Sequence, residues 1–235
     1  MVGVSRISKE ILLVLTITFG MSGVRSTLRL VNDLLAADAL NDQDVTLNSR
    51  LSTSAWLDFA LQLTSAATLF AWGLLALFLL EATLPRLRLP DWGWGACLAA
   101  LIGIPGLGLY LLALQMGLSK EVIPTTEAAQ IPVLLLWSAA NAFGEEVVVV
   151  MWLITRLKQL RWSPAAAIAA SSVLRGSYHL YQGVSAGFGN IVMGVVFGYY
   201  YHRTGKIWPL IIAHFLIDAV AFVGYLVLDL SWLGL

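Results

Sequence analysis

The chain has 235 residues, of which 59% are hydrophobic and 12% charged, and its mean hydropathy is +0.81. This composition excludes an ordinary soluble domain and predicts an integral membrane protein whose first partner is the lipid bilayer. Because 14 basic residues balance 14 acidic ones, the net charge offers no attraction for nucleic acid, and we expect no nucleic-acid partner. Cys97 is the single cysteine in the sequence, so no internal disulfide can form.

Apolar segments long enough to cross a bilayer core of roughly 30 Å run through the whole sequence. We place the spans at about residues 11–31, 55–80, 95–117, 131–155, 164–181, 188–202 and 207–229. They predict an all-α fold, a polytopic transmembrane helix bundle of about seven helices, with eight as the alternative. Residues 1–235 are expected to form a single integral membrane domain.

The basic residues predict how the chain is oriented. With a cytoplasmic N-terminus, most Lys and Arg residues outside the spans lie on the cytoplasmic side, and Arg50 and Lys120 lie in the opposite loops. The positive-inside rule therefore predicts this orientation, and we expect a multi-pass protein of the plasma membrane. The first span also fits a cleaved signal peptide, since Arg6 and Lys9 precede its apolar run. The basic Arg25, just beyond any cleavage point, favours a retained helix.

Several ionisable residues lie inside the last spans, where helix ends do not explain them. They are Glu145, Glu146, Arg175, His179, His214 and Asp218. A carboxylate at bilayer depth costs several kcal/mol unless it meets a partner or a water-filled cavity. Arg175 and His179 are four positions apart, and so are His214 and Asp218, so each pair shares a helix face. The pattern predicts one polar cluster inside the membrane.

Such a cluster suits the activation of water. A buried glutamate can take a proton from water, while imidazoles orient the water or hold a metal ion. Two histidines with carboxylates also form a ligand set for a divalent ion such as zinc, here Glu145, His179 and His214. No single helix offers an HExxH pair, so any metal site would be assembled across helices.

Three other interpretations compete with hydrolysis. The ionisable residues could simply pair with one another and hold the helices together. They could form the relay of a proton-coupled transporter or channel, although the sequence shows no repeat of broken helices, a feature of many transporters. Residues 183–187 also fit GxSxG, with Ser185 as a serine-protease nucleophile, but the strand-turn-helix context of that motif is absent.

The ordered motifs resemble those of the CAAX-protease and bacteriocin-processing family of intramembrane proteases, called CPBP or Abi, which includes the Rce1-type prenyl-protein endopeptidases. Its first motif, EExxxR, corresponds to Glu145 and Glu146. The second, FxxxH, ends on His179, and the third, HxxxN or HxxxD, corresponds to His214 and Asp218. Three motifs in order on three apolar helices are more specific than any one of them.

This resemblance implies an intramembrane endopeptidase that hydrolyses a peptide bond with glutamate-activated water. Glu145 would be the general base acting with His179, and Glu146 would support the pair. His214 and Asp218 would help build the site and stabilise the oxyanion. The family is usually classed as metalloproteases, which adds zinc as an expected cofactor. The substrate would be a peptide or a membrane protein, and a prenylated CAAX tail, a leader peptide and a bacteriocin-like peptide remain equal alternatives.

The resemblance covers about residues 137–223, within an expected catalytic core at about 131–229. Two positions depart from it, since Val150 stands where the first motif has Arg and Arg175 where the second has Phe. We hypothesise that Arg175 supplies the displaced positive charge and pairs with Glu146. The same departures leave open a non-catalytic member of the family that acts as an immunity or interaction protein.

Overall fold

Helices make up most of the chain that the computed structural model describes, residues 4–123 and 130–227. In chain order they are α1 (Val4–Ile17), α2 (Phe19–Leu34), α3 (Ala55–Leu80), α4 (Leu89–Gln115), α5 (Ile131–Gln159), α6 (Pro164–His179), α7 (Val184–Thr204) and α8 (Trp208–Val227). Short 3-10 turns span Leu40–Asp42 and Leu180–Gln182, and strands β1 (Asp44–Thr46) and β2 (Glu121–Ile123) form a two-stranded sheet. The predicted all-α fold is confirmed.

Helices α3, α4 and α5 are each long and apolar enough to cross a membrane. Helices α1 and α2 together form a further candidate span, bent by 49°, whereas a single helix was expected at about residues 11–31. The break lies at Thr18, whose hydroxyl donates to the Val14 carbonyl at 2.7 Å. A threonine that bonds back to the preceding turn bends a helix. The orientation of the chain and the alternative of a signal peptide stay predictions.

The contacts divide the chain into two compact units. Unit 1 consists of Met1–Gln43, Gly106–Glu121 and Val147–Lys206, and unit 2 of Asp44–Pro105, Val122–Glu146 and Ile207–Leu235. The boundary falls inside α4, after Pro105, and inside α5, after Glu146. Each unit is therefore assembled from segments that are distant in sequence, and the single domain expected from the chain length stays a prediction.

In unit 2, the first part of α5 packs closely on α3. A Cβ atom built on Gly144 would lie 2.9 Å from the backbone carbonyl oxygen of Leu69, so the two helices can approach this closely because residue 144 has no side chain. Two turns earlier, the Trp137 indole donates a hydrogen bond to Gln62 Oε1 at 2.6 Å. These contacts hold in place the segment of α5 that ends with Glu145.

The first two turns of α8 contact α4 and the loop before it. The Trp208 indole donates to the Pro85 carbonyl at 2.6 Å, which ties the start of α8 to the loop before α4. Gly95 of α4 leaves room for the Ile212 side chain. His214 follows two residues later and is buried.

In unit 1, α6 packs between α2 and α7. A Cβ atom built on Gly194 of α7 would lie 2.8 Å from the Ser172 Cα of α6, so these helices also approach backbone to backbone. On the α2 side, the rings of Phe19 and Tyr178 lie 4.9 Å apart between centroids. Both contacts stabilise the helix that ends at His179.

Replacing Gly144 with alanine is expected to lower the free energy of unfolding by about 1–3 kcal/mol, because the added methyl group would overpack α5 against α3. Thermal unfolding of the purified protein in detergent would show the loss as a lower midpoint. The control is Gly93→Ala in α4, where a Cβ atom has none of the described residues within 4 Å. Its midpoint should stay or rise slightly, since alanine favours the helix. Equal midpoints for the two variants would contradict the close approach at Gly144.

Candidate functional site

Helices α5 and α8 bring four polar side chains of unit 2 into one chain of hydrogen bonds and ion-pair contacts. His214 Nδ1 lies 2.7 Å from Glu146 Oε1, and His214 Nε2 lies 3.5 Å from Asp218 Oδ1. The Asn141 side-chain amide donates to Asp218 Oδ2 at 3.1 Å. We call Asn141, Glu146, His214 and Asp218 the polar cluster. It lies entirely within one unit, so its geometry depends on that unit alone.

The spacing of these residues follows from two helices that pack antiparallel to each other. His214 and Asp218 are four positions apart on α8, one above the other on the same face. Asn141 precedes Glu146 by five positions on α5, and it contacts Asp218 while Glu146 contacts His214. Contacts that move toward the C-terminal end of α5 therefore move toward the N-terminal end of α8. Each helix contributes about one turn to the polar cluster.

Burial differs between the two ends of the polar cluster. The Glu146 side chain is 0% exposed and the His214 side chain 5%, whereas the Asp218 side chain is 16% exposed. Asn141 is half-buried. Glu145, the neighbour of Glu146, is 6% exposed. The cluster is therefore closed at Glu146 and more open at Asp218 and Asn141.

The His214 ring faces a carboxylate at each of its nitrogens. A neutral imidazole carries one N–H, so it can donate to only one of two ionised carboxylates. Both contacts become hydrogen bonds when the ring is an imidazolium or when one carboxyl group keeps its proton. Glu146, His214 and Asp218 can therefore share a proton, which is the chemistry of an acid–base group.

The helical geometry of α5 changes at the glutamate pair. The α-helix Ile131–Glu145 is followed by a π turn over Glu146–Trp152 and then by a second α-helix, Leu153–Gln159. In unit 1, the Ser171 hydroxyl donates to the Val149 carbonyl at 2.7 Å, so a carbonyl of the π turn has a partner from α6. Such π turns occur frequently at functional sites.

Unit 1 contains the other two residues that the sequence singled out. His179 Nδ1 lies 3.0 Å from the Arg175 carbonyl oxygen. Since a carbonyl only accepts, Nδ1 carries the hydrogen, and in a neutral ring Nε2 is then the acceptor. The Arg175 side chain is fully buried, with its guanidinium 5.8 Å from the Phe197 ring centroid and Nη1 3.8 Å from Met193 Sδ. Its pairing with Glu146 stays a prediction.

The structure thus brings together Glu146, His214 and Asp218, with Glu145 adjacent along α5. The sequence analysis missed Asn141, although a signal was present. This polar residue stands one helical turn before Glu145 in a span that is mostly apolar. The part that His179 takes in a common site stays a prediction.

A metal ion needs several donor side chains directed at one point. Among the described residues, no three His, Cys, Asp or Glu side chains are grouped so that they could hold one. Both ring nitrogens of His214 already face carboxylates, so neither has a lone pair directed at a metal in this arrangement. The described residues thus show no ready-made metal site, and the zinc site expected at Glu145, His179 and His214 stays a prediction.

Comparison with known proteins gives one match. Residues 127–220 match the family model described as Type II CAAX prenyl endopeptidase Rce1-like. This segment includes α6 and α7, the whole polar cluster and His179. The resemblance seen in the three motifs is confirmed over this segment, which is less than half of the chain, and the match supports a membrane protease in general. No curated protein and no solved structure matches the chain.

The contact between Glu146 and His214 predicts energetic coupling. In a double-mutant cycle of Glu146→Gln and His214→Phe, the two losses of unfolding free energy should be non-additive by about 0.5–3 kcal/mol, because each variant removes the same interaction. Denaturant unfolding in detergent would measure the four states. Asp33→Asn is the control partner for Glu146→Gln, because Asp33 forms its own ion pair with Lys120 at 2.7 Å. Additive losses in both cycles would refute the coupling.

Proposed function

We propose that this protein is an intramembrane endopeptidase that hydrolyses a peptide bond with water activated by a glutamate. The observation that carries the proposal is the His214 ring, buried between the carboxylates of Glu146 and Asp218. Glu146, His214 and Asp218 all lie within the Rce1-like match at residues 127–220. A proton-sharing cluster in a membrane-protease segment supports acid–base hydrolysis.

Glu145 is the better candidate for the general base. Glu146 is fully enclosed and its Oε1 is occupied by His214. Glu145 keeps some exposure at the adjacent position, so water can reach it more easily. In the proposed reaction Glu145 takes a proton from water, and the water oxygen forms a bond to the scissile carbonyl carbon. The carbon–nitrogen bond then breaks, and the proton passes from Glu145 to the leaving amine.

Glu146, His214 and Asp218 would stabilise the charges of this reaction. An imidazolium held between two carboxylates keeps one positive charge next to Glu145 in a region with little water. In such surroundings charge–charge interactions are stronger than in water. His179 enters the proposal through the family's second motif, and an imidazole at this position would orient the attacking water. No step in this scheme is routed through a metal.

The substrate class proposed is a peptide or a membrane protein cleaved within or beside the bilayer. Helices α3, α4 and α5 are long and apolar enough to lie in lipid, so a substrate would approach from the membrane or from its surface. We also propose a plasma-membrane location with a cytoplasmic N-terminus, which rests on the distribution of Lys and Arg.

Glu145→Gln is expected to lower the rate of peptide cleavage by about 10²–10⁴-fold, because glutamine cannot take the proton from water. Cleavage of a membrane-peptide library by the purified, detergent-solubilised protein would measure it. Glu121→Gln is the matched control, since Glu121 is exposed in β2 and should cleave like the wild type. A chelator added to the wild type would decide whether a metal participates.

Two outcomes would overturn the proposal. If no form cleaves any peptide while all forms remain folded, the chain is better described as a non-catalytic member of its family. If reconstituted vesicles show proton flux that depends on Glu145 and peptides have no effect on it, the relay of a transporter is the better description.

The hypothesis that Arg175 supplies the displaced positive charge can be tested by moving that charge to position 150. Arg175→Phe alone should abolish cleavage, whereas Arg175→Phe with Val150→Arg should restore part of it, because position 150 is where the family motif carries its arginine. Both native side chains are fully buried in unit 1, so gel filtration must first show that each variant folds. Full activity of a folded Arg175→Phe variant would exclude the charge-transfer hypothesis.

A further inference from the structure

We infer that Asn141 is a further catalytic residue, whose side-chain amide donates a hydrogen bond to the scissile carbonyl oxygen as negative charge develops on it. This inference rests on the proposed function and adds the group that would hold the oxyanion.

Hydrolysis of a peptide bond requires hydrogen-bond donors directed at the oxyanion. Three of the four side chains in the polar cluster have no hydrogen-bond donor directed at a substrate. Ionised carboxylates such as Glu146 and Asp218 only accept hydrogen bonds, and both nitrogens of His214 already face carboxylates. The Asn141 amide carries two hydrogens, one of which is donated to Asp218. The second has no acceptor among the described residues, so it is the donor left for a substrate.

The contact with Asp218 also orients this donor. Because an ionised carboxylate only accepts, the nitrogen of the Asn141 amide and not its oxygen must face Asp218. The amide group is planar, so fixing one N–H fixes the direction of the other. A donor that is already oriented before the substrate binds needs no reorganisation when charge develops, which is the condition for strong stabilisation of an oxyanion.

Asn141 is also placed where a substrate can reach it. It is half-buried and pairs with Asp218, the more open member of the cluster, whereas Glu146 is fully enclosed. Asn141 and Glu145 are one turn apart on the same face of α5, with Cβ atoms about 5–6 Å apart. A scissile carbonyl lying along that face can therefore meet the activated water at Glu145 and the amide donor at Asn141.

The test uses the purified protein and a peptide that it cleaves. Asn141→Asp keeps the size of the side chain but removes both N–H groups, and it should lower kcat by about 10²–10³-fold with little change in KM. Affinity for a phosphonate analogue of that peptide, which mimics the tetrahedral intermediate, should fall by a similar factor. Asn141→Ala should give the same pattern without the added charge, in case Asn141→Asp fails to fold. Asn190→Asp is the matched control, because the Asn190 amide donates to the Ala186 carbonyl within α7.

A purely orienting role for Asn141 predicts different results. The exchange Asn141→Asp with Asp218→Asn keeps an amide and a carboxylate at the same two positions. If this exchange restores kcat, or if the Asn141 variants bind the phosphonate as tightly as the wild type, the inference is wrong. If the exchange cleaves no faster than Asn141→Asp and phosphonate affinity falls with kcat, the inference holds.

The same assay separates this inference from the proposed function. Continued cleavage by the Glu145→Gln variant would refute the proposed function itself, whatever the results for the Asn141 variants. Loss of cleavage in Glu145→Gln together with wild-type kcat in Asn141→Ala would refute only the role inferred for Asn141 and leave the proposed function standing.

Discussion

A carboxylate that is fully enclosed by apolar helices needs a compensating group, and at Glu146 the ring of His214 is such a group. This contact joins α5 to α8 at one level, and it fixes which turns of the two helices face each other. The pair of Asn141 and Asp218 then lies one turn away. Gly144 supports the same segment from the α3 side, because its missing side chain lets α5 lie against the Leu69 carbonyl.

The two neighbouring glutamates have different surroundings because they lie where the helix changes. Glu145 ends the regular part of α5, and Glu146 begins the π turn. Adjacent residues on a helix point in different directions, so Glu146 pairs with His214 and is fully enclosed, while Glu145 is 6% exposed. Two like side chains therefore have different surroundings, which is the basis for giving them different roles in the proposed function.

Much of this arrangement could be predicted from the sequence, and the missing parts have physical reasons. Long apolar runs predict helices reliably, and the four-residue spacing correctly placed His214 and Asp218 on one face. The spacing cannot show contacts between helices, so the pairing of Glu146 with His214 and of Asn141 with Asp218 required the structure. A neutral amide is also less costly to bury than a charge, so the sequence alone gives little reason to single out Asn141. The bend at Thr18 and the π turn are local departures from a regular helix that hydrophobic periodicity does not encode.

The composition of the polar cluster favours a catalytic role over a role in holding the helices together. Replacing a buried ion pair with well-packed apolar side chains is often neutral or stabilising, so helix packing alone gives little physical reason for such a pair. Here one imidazole has carboxylates at both nitrogens, and a third carboxylate, Glu145, lies beside them on α5. Each acidic group adds a cost of burial that a simple contact between helices would not require. The proton transfer that we propose would give each group a use, because a water-activating base works best when nearby groups hold and balance the charge that it gains and loses.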